Sequence, residues 1–129
     1  MKTVEIHTKV YPRSLKIKEG RFETMVCFTK KNGERVIRKL SGKETDTTFN
    51  RMSLIAALEG IEILKEPCQV ELYTQCRFLK NCIEQDSVEK WQRQEWKNAR
   101  GKDVAHKELW QQFLAEMEFH KIAVSFSKY

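Results

Sequence analysis

Val4, Ile6 and Thr8 alternate with Glu5, His7 and Lys9, a period of two that predicts a half-buried strand at the start of the chain. After a connection containing Pro12, residues 22–30 (FETMVCFTK) are rich in aromatic and branched side chains. Lys31-Asn32-Gly33-Glu34 then supplies a hairpin turn, and residues 35–42 (RVIRKLSG) pair back, giving three antiparallel strands. Next comes a helical pattern. Met52, Ile55, Ala56, Leu58, Ile61, Ile63 and Leu64 make the broad apolar face of a helix capped by Thr48 or Asn50 and ended by Pro67. Val70, Leu72 and Thr74 alternate with Gln69, Glu71, Tyr73 and Gln75 as a fourth strand. Residues 78–85 and 87–99 read as helical and Gly101 breaks the pattern. Residues 107–120 form an amphipathic helix carrying Leu109, Trp110, Phe113, Leu114 and Met117, and residues 121–127 (KIAVSFS) are a fifth strand. This order predicts an α/β domain of three layers, with strand four parallel to strand one through a helical crossover.

Composition narrows the class. A chain of 129 residues can bury a core without disulfides or metals, and no repeat, linker or low-complexity stretch divides it, so one domain over residues 1–129 is expected. Cys27, Cys68, Cys76 and Cys82 form no CxxC pair and have no His at zinc-finger spacing, which predicts reduced, buried thiols. No signal peptide opens the chain, and no apolar run reaches the ~18 residues of a membrane span. A cytoplasmic protein that makes no membrane contact and needs no cofactor is the expectation. The 24 Lys and Arg against 18 Asp and Glu give a formal charge of +6, which favours a polyanionic partner.

Residues 47–75, TTFNRMSLIAALEGIEILKEPCQVELYTQ, resemble the ribonuclease H type 1 pattern of Thr-Thr-Asn-Asn-Arg-Met-Glu, a long apolar helix and a strand ending in Ser-Thr-Asp. Trp91, Trp96, Lys97, Arg100, Gly101, Lys102 and Leu109-Trp110-Gln111 resemble the basic handle with which some members of that family grip an RNA/DNA hybrid. The resemblance runs from about Val4 to Ser127. It implies a five-stranded mixed sheet of order 3-2-1-4-5, with helices packed on its faces. It also implies hydrolysis of the RNA strand of a hybrid by two divalent metals held on four carboxylates, which activate water and stabilise the leaving oxygen.

The carboxylate positions depart from that pattern. Lys9 stands at the first, Ser53 at the second and Gln75 at the third, and the fourth belongs to a helix that would follow strand five, whereas the sequence stops at Tyr129. Glu5 and Glu71 share strand parity with Lys9 and Gln75 but lie four residues back, about 13 Å away. An ammonium ~4 Å from a divalent ion is repelled by about 8 kcal/mol at an effective dielectric near 20. These departures predict a homologue that is not an enzyme, with no catalytic and no metal-binding residues.

Binding groups remain. Thr48, Asn50 and Arg51 match positions beside the substrate backbone, although helix capping also accounts for them. Trp91 and Trp96 interleave with Lys90, Arg93, Lys97, Arg100 and Lys102, which joins stacking surface to phosphate-seeking charge, unless the rings anchor the core instead. Lys9 could hold a phosphate where relatives hold metal. Residues 11–20 put side chains where the family has a Gly- and Pro-containing loop. His7 reads as a packed strand residue, His106 as a surface residue, and His120 precedes strand five. The expected function is a catalytically inactive module that binds nucleic acid, whether hybrid, duplex or single strand, through a basic handle. The alternative is a protein-interaction or oligomerisation module that binds a protein partner or a second copy.

Overall fold

The computed structural model describes residues 1–127. Its elements are β1 (Lys2–Tyr11), β2 (Ile17–Thr29), β3 (Arg35–Thr47), α1 (Phe49–Glu62), β4 (Cys68–Thr74), α2 (Arg77–Glu84), α3 (Ser87–Arg93), α4 (Lys107–Phe119) and β5 (Lys121–Phe126). The five strands form one mixed sheet of order β3-β2-β1-β4-β5, as the sequence leads one to expect. β1 pairs antiparallel with β2 and parallel with β4, with His7 opposite both Met25 and Tyr73, and β5 runs parallel to β4.

Alternation decides which side of the sheet is covered. Val4, Ile6, Val70 and Leu72 point to one face and are fully buried. There they join Leu54, Ala57, Leu58 and Ile61 of α1, Leu79 of α2, Val88 of α3, and Trp110 and Phe113 of α4 in a single apolar cluster. All four helices therefore contribute to one layer. A second helical layer, expected from the three-layer reading, is not among the described residues. A smaller cluster of Val10, Ile17, Phe22, Met52 and Ala56 closes the end of the sheet near the start of α1.

Several boundaries differ from expectation for local reasons. β2 and β3 are each 13 residues long, well beyond the stretches 22–30 and 35–42, because pairing continues through Ile17 and Thr47. The two strands exchange faces near Asp46, whose φ of 50° is left-handed, so Ile17 and Thr47 turn inward together. Asp tolerates that region better than most side chains. α3 stops at Arg93 instead of Ala99, since Glu95 and Trp96 both take positive φ. No helix among the described residues is long and apolar enough to cross a membrane.

Candidate nucleic-acid interface

The end of β1, the end of β4 and the first turn of α1 meet at the positions singled out by the sequence. Lys9 is exposed on β1, opposite Glu23 of β2. Ser53 lies on the buried side of α1, only 2 % exposed. Gln75 follows the last residue of β4, and Cys76 after it is buried. Burial pushes the Cys76 thiol up, opposed by hydrogen bonds from the Leu79 backbone and the Ser53 hydroxyl.

The three polar residues at the start of α1 already have partners inside the protein. Thr48 is the N-cap, its Oγ1 accepting from the Arg51 backbone N–H at 3.1 Å. Asn50 Oδ1 accepts from the Cys76 thiol at 3.3 Å. Arg51 Nε donates to Glu44 Oε1 at 2.6 Å. Each group is thus positioned by folding itself, and Arg51 meets any phosphate with its charge already matched. His106, read from sequence as a surface group, is half-buried beside this pair. Burial and then the Arg51 guanidinium hold its imidazole below the ordinary value, while Glu44 opposes them. Sequence spacing gave no sign of that electrostatic influence, because His106 lies 55 residues after Arg51.

The handle is compact. Trp91 and Trp96 pack against the main core, with the Trp91 ring 5.5 Å from that of Trp110. They serve folding before any base. Lys97 donates to Asp103 Oδ1 at 2.6 Å, and the two residues form an isolated β-bridge. Hydrogen bonding to Lys97 and the charge of Lys107 hold the Asp103 carboxyl below its usual range. Asn98 Oδ1 accepts from the backbone N–H groups of both Arg100 and Lys102, which fixes the turn while both side chains stay exposed. Neither cation makes an ion pair among the described residues.

A divalent-metal site would need oxygen donors converging at the ends of β1, α1 and β4. Those positions supply an ammonium, a buried hydroxyl and an amide, and among the described residues no group of three or more His, Cys, Asp or Glu is placed to hold a metal. Lys9, Ser53 and Gln75 do not fit the metals that the resemblance implies.

A mixed sheet of this order, crossed by α1 and followed by a clustered basic turn, defines the ribonuclease H-like fold class. The family model for RNase H matches residues 14–128, and the chain belongs to the ribonuclease H family. It is 44 % identical over 89 residues to the ribonuclease H of Thermus thermophilus, covering 69 % of this chain and 54 % of that protein. It is 46 % identical over 85 residues to the ribonuclease H of Acidiphilium cryptum, covering 66 % and 52 %. The chain spans about half the length of these curated relatives. Among solved structures, LC9-RNase H1, described as a type 1 RNase H with the type 2 active-site motif, superposes with a TM-score of 0.79 at 20 % identity, covering 98 % of this chain and 63 % of that one. The foamy viral protease-reverse transcriptase in complex with RNA/DNA hybrid gives a TM-score of 0.71 at 13 % identity, covering 98 % and 17 %.

These relatives correct the functional expectation. Lys9, Ser53 and Gln75 pointed to a catalytically inactive homologue that is not an enzyme, yet proteins 40–46 % identical to the chain carry the name ribonuclease H. Three substituted positions describe one donor set, and nothing in the fold shows inactivity. The protein-interaction alternative gains no support from any of these comparisons.

Proposed function

We propose that the protein works as a ribonuclease H on RNA/DNA hybrid, as one domain in a reducing, cytoplasmic compartment. The carrying observation is the 44 % identity over 89 residues to a protein named ribonuclease H, within a family match over residues 14–128. Four free, buried cysteines accord with a reducing compartment. The net charge of +6 and the unpaired Arg100 and Lys102 suit a phosphate backbone, which supplies most of the affinity in such contacts. Thr48, Asn50, Arg51 and Lys97 shape the same surface through their internal bonds, and Trp91 and Trp96 support it from the core. The reading assigns a substrate and a reaction class, and it draws no catalytic step, because the donor set at Lys9, Ser53 and Gln75 does not fit divalent metal.

The test is a hybrid with a labelled RNA strand, incubated with Mg²⁺ and separately with Mn²⁺, beside the same RNA as a single strand. RNA cleavage that depends on the DNA strand is the expected result. Intact RNA under both metals sinks the ribonuclease assignment. Replacing Arg100 and Lys102 together by Ala should lower the slope of log affinity against log salt by roughly 1.8, about 0.9 per lost phosphate contact.

A further inference from the structure

The first turn of α1 rests on a glycine. A Cβ at Gly20 of β2 would fall on the sulfur of Met52, so the missing side chain is what lets α1 settle there. Gly20 pairs with Glu44 of β3, and residues directly opposite in an antiparallel pair point to the same face. Glu44 therefore rises on the side of the sheet that α1 covers, and Arg51, the residue before Met52, is brought against it. Arg51 Nε donates to Glu44 Oε1 at 2.6 Å, while the Thr48 hydroxyl holds the Arg51 backbone N–H.

This pair is neither deeply buried nor fully free. The Arg51 side chain is 41 % exposed and that of Glu44 27 %, and the half-buried imidazole of His106 feels both charges. A partly dehydrated pair is screened by salt less than a surface one, so it persists where exposed pairs weaken. Cations raise affinity for a nucleic-acid backbone by neutralising phosphates and releasing their counterions. Arg100 and Lys102 are exposed and can do so at full strength. Arg51 differs, because Glu44 already matches its charge, and a phosphate arriving there also meets the carboxylate, a like charge.

With RNA/DNA hybrid taken as the ligand, a reading on which this inference rests, we propose that Glu44 is a positioning residue that withholds Arg51 from the hybrid backbone. The intact pair keeps affinity below what the cations of this surface would otherwise give. Glu44 acts through Arg51 alone, and removing its charge frees the guanidinium for one further phosphate.

The experiment measures binding of a fluorescent RNA/DNA hybrid across a salt series for the parent, Glu44→Gln, Arg51→Ala and the double variant, with cleavage by the parent under Mg²⁺ and Mn²⁺ followed in parallel. Glu44→Gln retains an oxygen that can accept from Arg51 Nε but carries no charge, and it lies on the edge strand β3, where the change is tolerated. Circular dichroism confirms that each variant is folded. Glu44→Gln should bind hybrid more tightly at low salt, with a slope of log affinity against log salt steeper by roughly 0.9, the worth of one phosphate contact. In the double variant that steepening should be absent relative to Arg51→Ala alone. The proposal is overturned if Glu44→Gln keeps the parent's slope, or if its gain persists without Arg51, which would make it a general effect of net charge. It is equally overturned if Arg51→Ala alone lowers the parent's slope by roughly 0.9, since Arg51 would then already grip a phosphate. None of these outcomes touches cleavage by the parent. A gain that needs Arg51, on hybrid that the parent binds without cutting, would leave the role of Glu44 standing and remove the ribonuclease reading instead. Hybrid bound by no variant at low salt overturns both.

Discussion

Gly60 of α1 packs tightly against the sheet, and a Cβ built there would sit 2.8 Å from Cγ2 of Thr24 and 2.9 Å from Cγ2 of Ile6. Both neighbours are branched and buried on paired strands, so neither can swing away. Two effects of Gly60→Ala oppose each other. Alanine favours a helix interior by about 1 kcal/mol over glycine, whereas overpacking a filled core costs about 1–3 kcal/mol. Crowding should win, leaving the variant about 1 kcal/mol less stable in urea unfolding; an equal or higher midpoint would show that the helix can shift outward. At this scale the sequence was informative about identity and poor about neighbours. Lys9, Ser53 and Gln75 were legible as departures from a pattern. The charges of Arg51 and Glu44 felt by His106, and the stack of His7 on Tyr73, arise from residues far apart in the chain, and no local period reports them.

Thr48 shows how one element is started by its own boundary residue. Its side chain takes up the Arg51 N–H, one of the first-turn donors that lack an intrahelical partner. Thr48→Ala should therefore cost about 1 kcal/mol of stability, with Thr48→Ser restoring most of it. Chemical denaturation of the two variants checks this, and an unchanged midpoint in Thr48→Ala would leave the hydroxyl free for a ligand instead. The elements themselves were largely legible, because periods of two and of three to four residues mark β1, β4, α1 and α4 directly. What failed were the ends set by backbone handedness. α3 was expected to run to Ala99, but Glu95 and Trp96 adopt positive φ so that Trp96 can pack against the core. β3 was expected to stop near Gly42, yet pairing with β2 carries it on to Thr47, past a reversal of face at Asp46. Burial of one ring outweighs helix propensity in the first case, and side-chain type hides a strand in the second.

The whole molecule is a sheet with one apolar face and one polar face; the buried thiols of Cys68, Cys76 and Cys82 belong to the apolar side, whereas Cys27 sits opposite Glu5 on the other. Burial pushes the Cys68, Cys76 and Cys82 thiols up, the last to about 11 with the nearby Cys76 adding to the effect. In the unfolded chain a cysteine ionises near ~8.5. Between that value and about 11 the unfolded state has released the Cys82 proton and the folded state has kept it. Folding then binds a proton, so stability falls as pH rises through this window and is unaffected by this group below it. A hydroxyl does not ionise there. Cys82→Ser should therefore melt with a shallower decline in Tm between pH ~8.5 and ~11 than the parent, whatever its offset at neutral pH. Parallel declines would place the alkaline sensitivity in other groups, Tyr73 among them, whose hydroxyl is pushed up by burial and by the Glu71 and Glu5 carboxylates on the open face. The two faces would then be distinguishable by titration alone: loss that follows Cys82 belongs to the core that the helices cover, and loss that follows Tyr73 belongs to the polar face of the sheet.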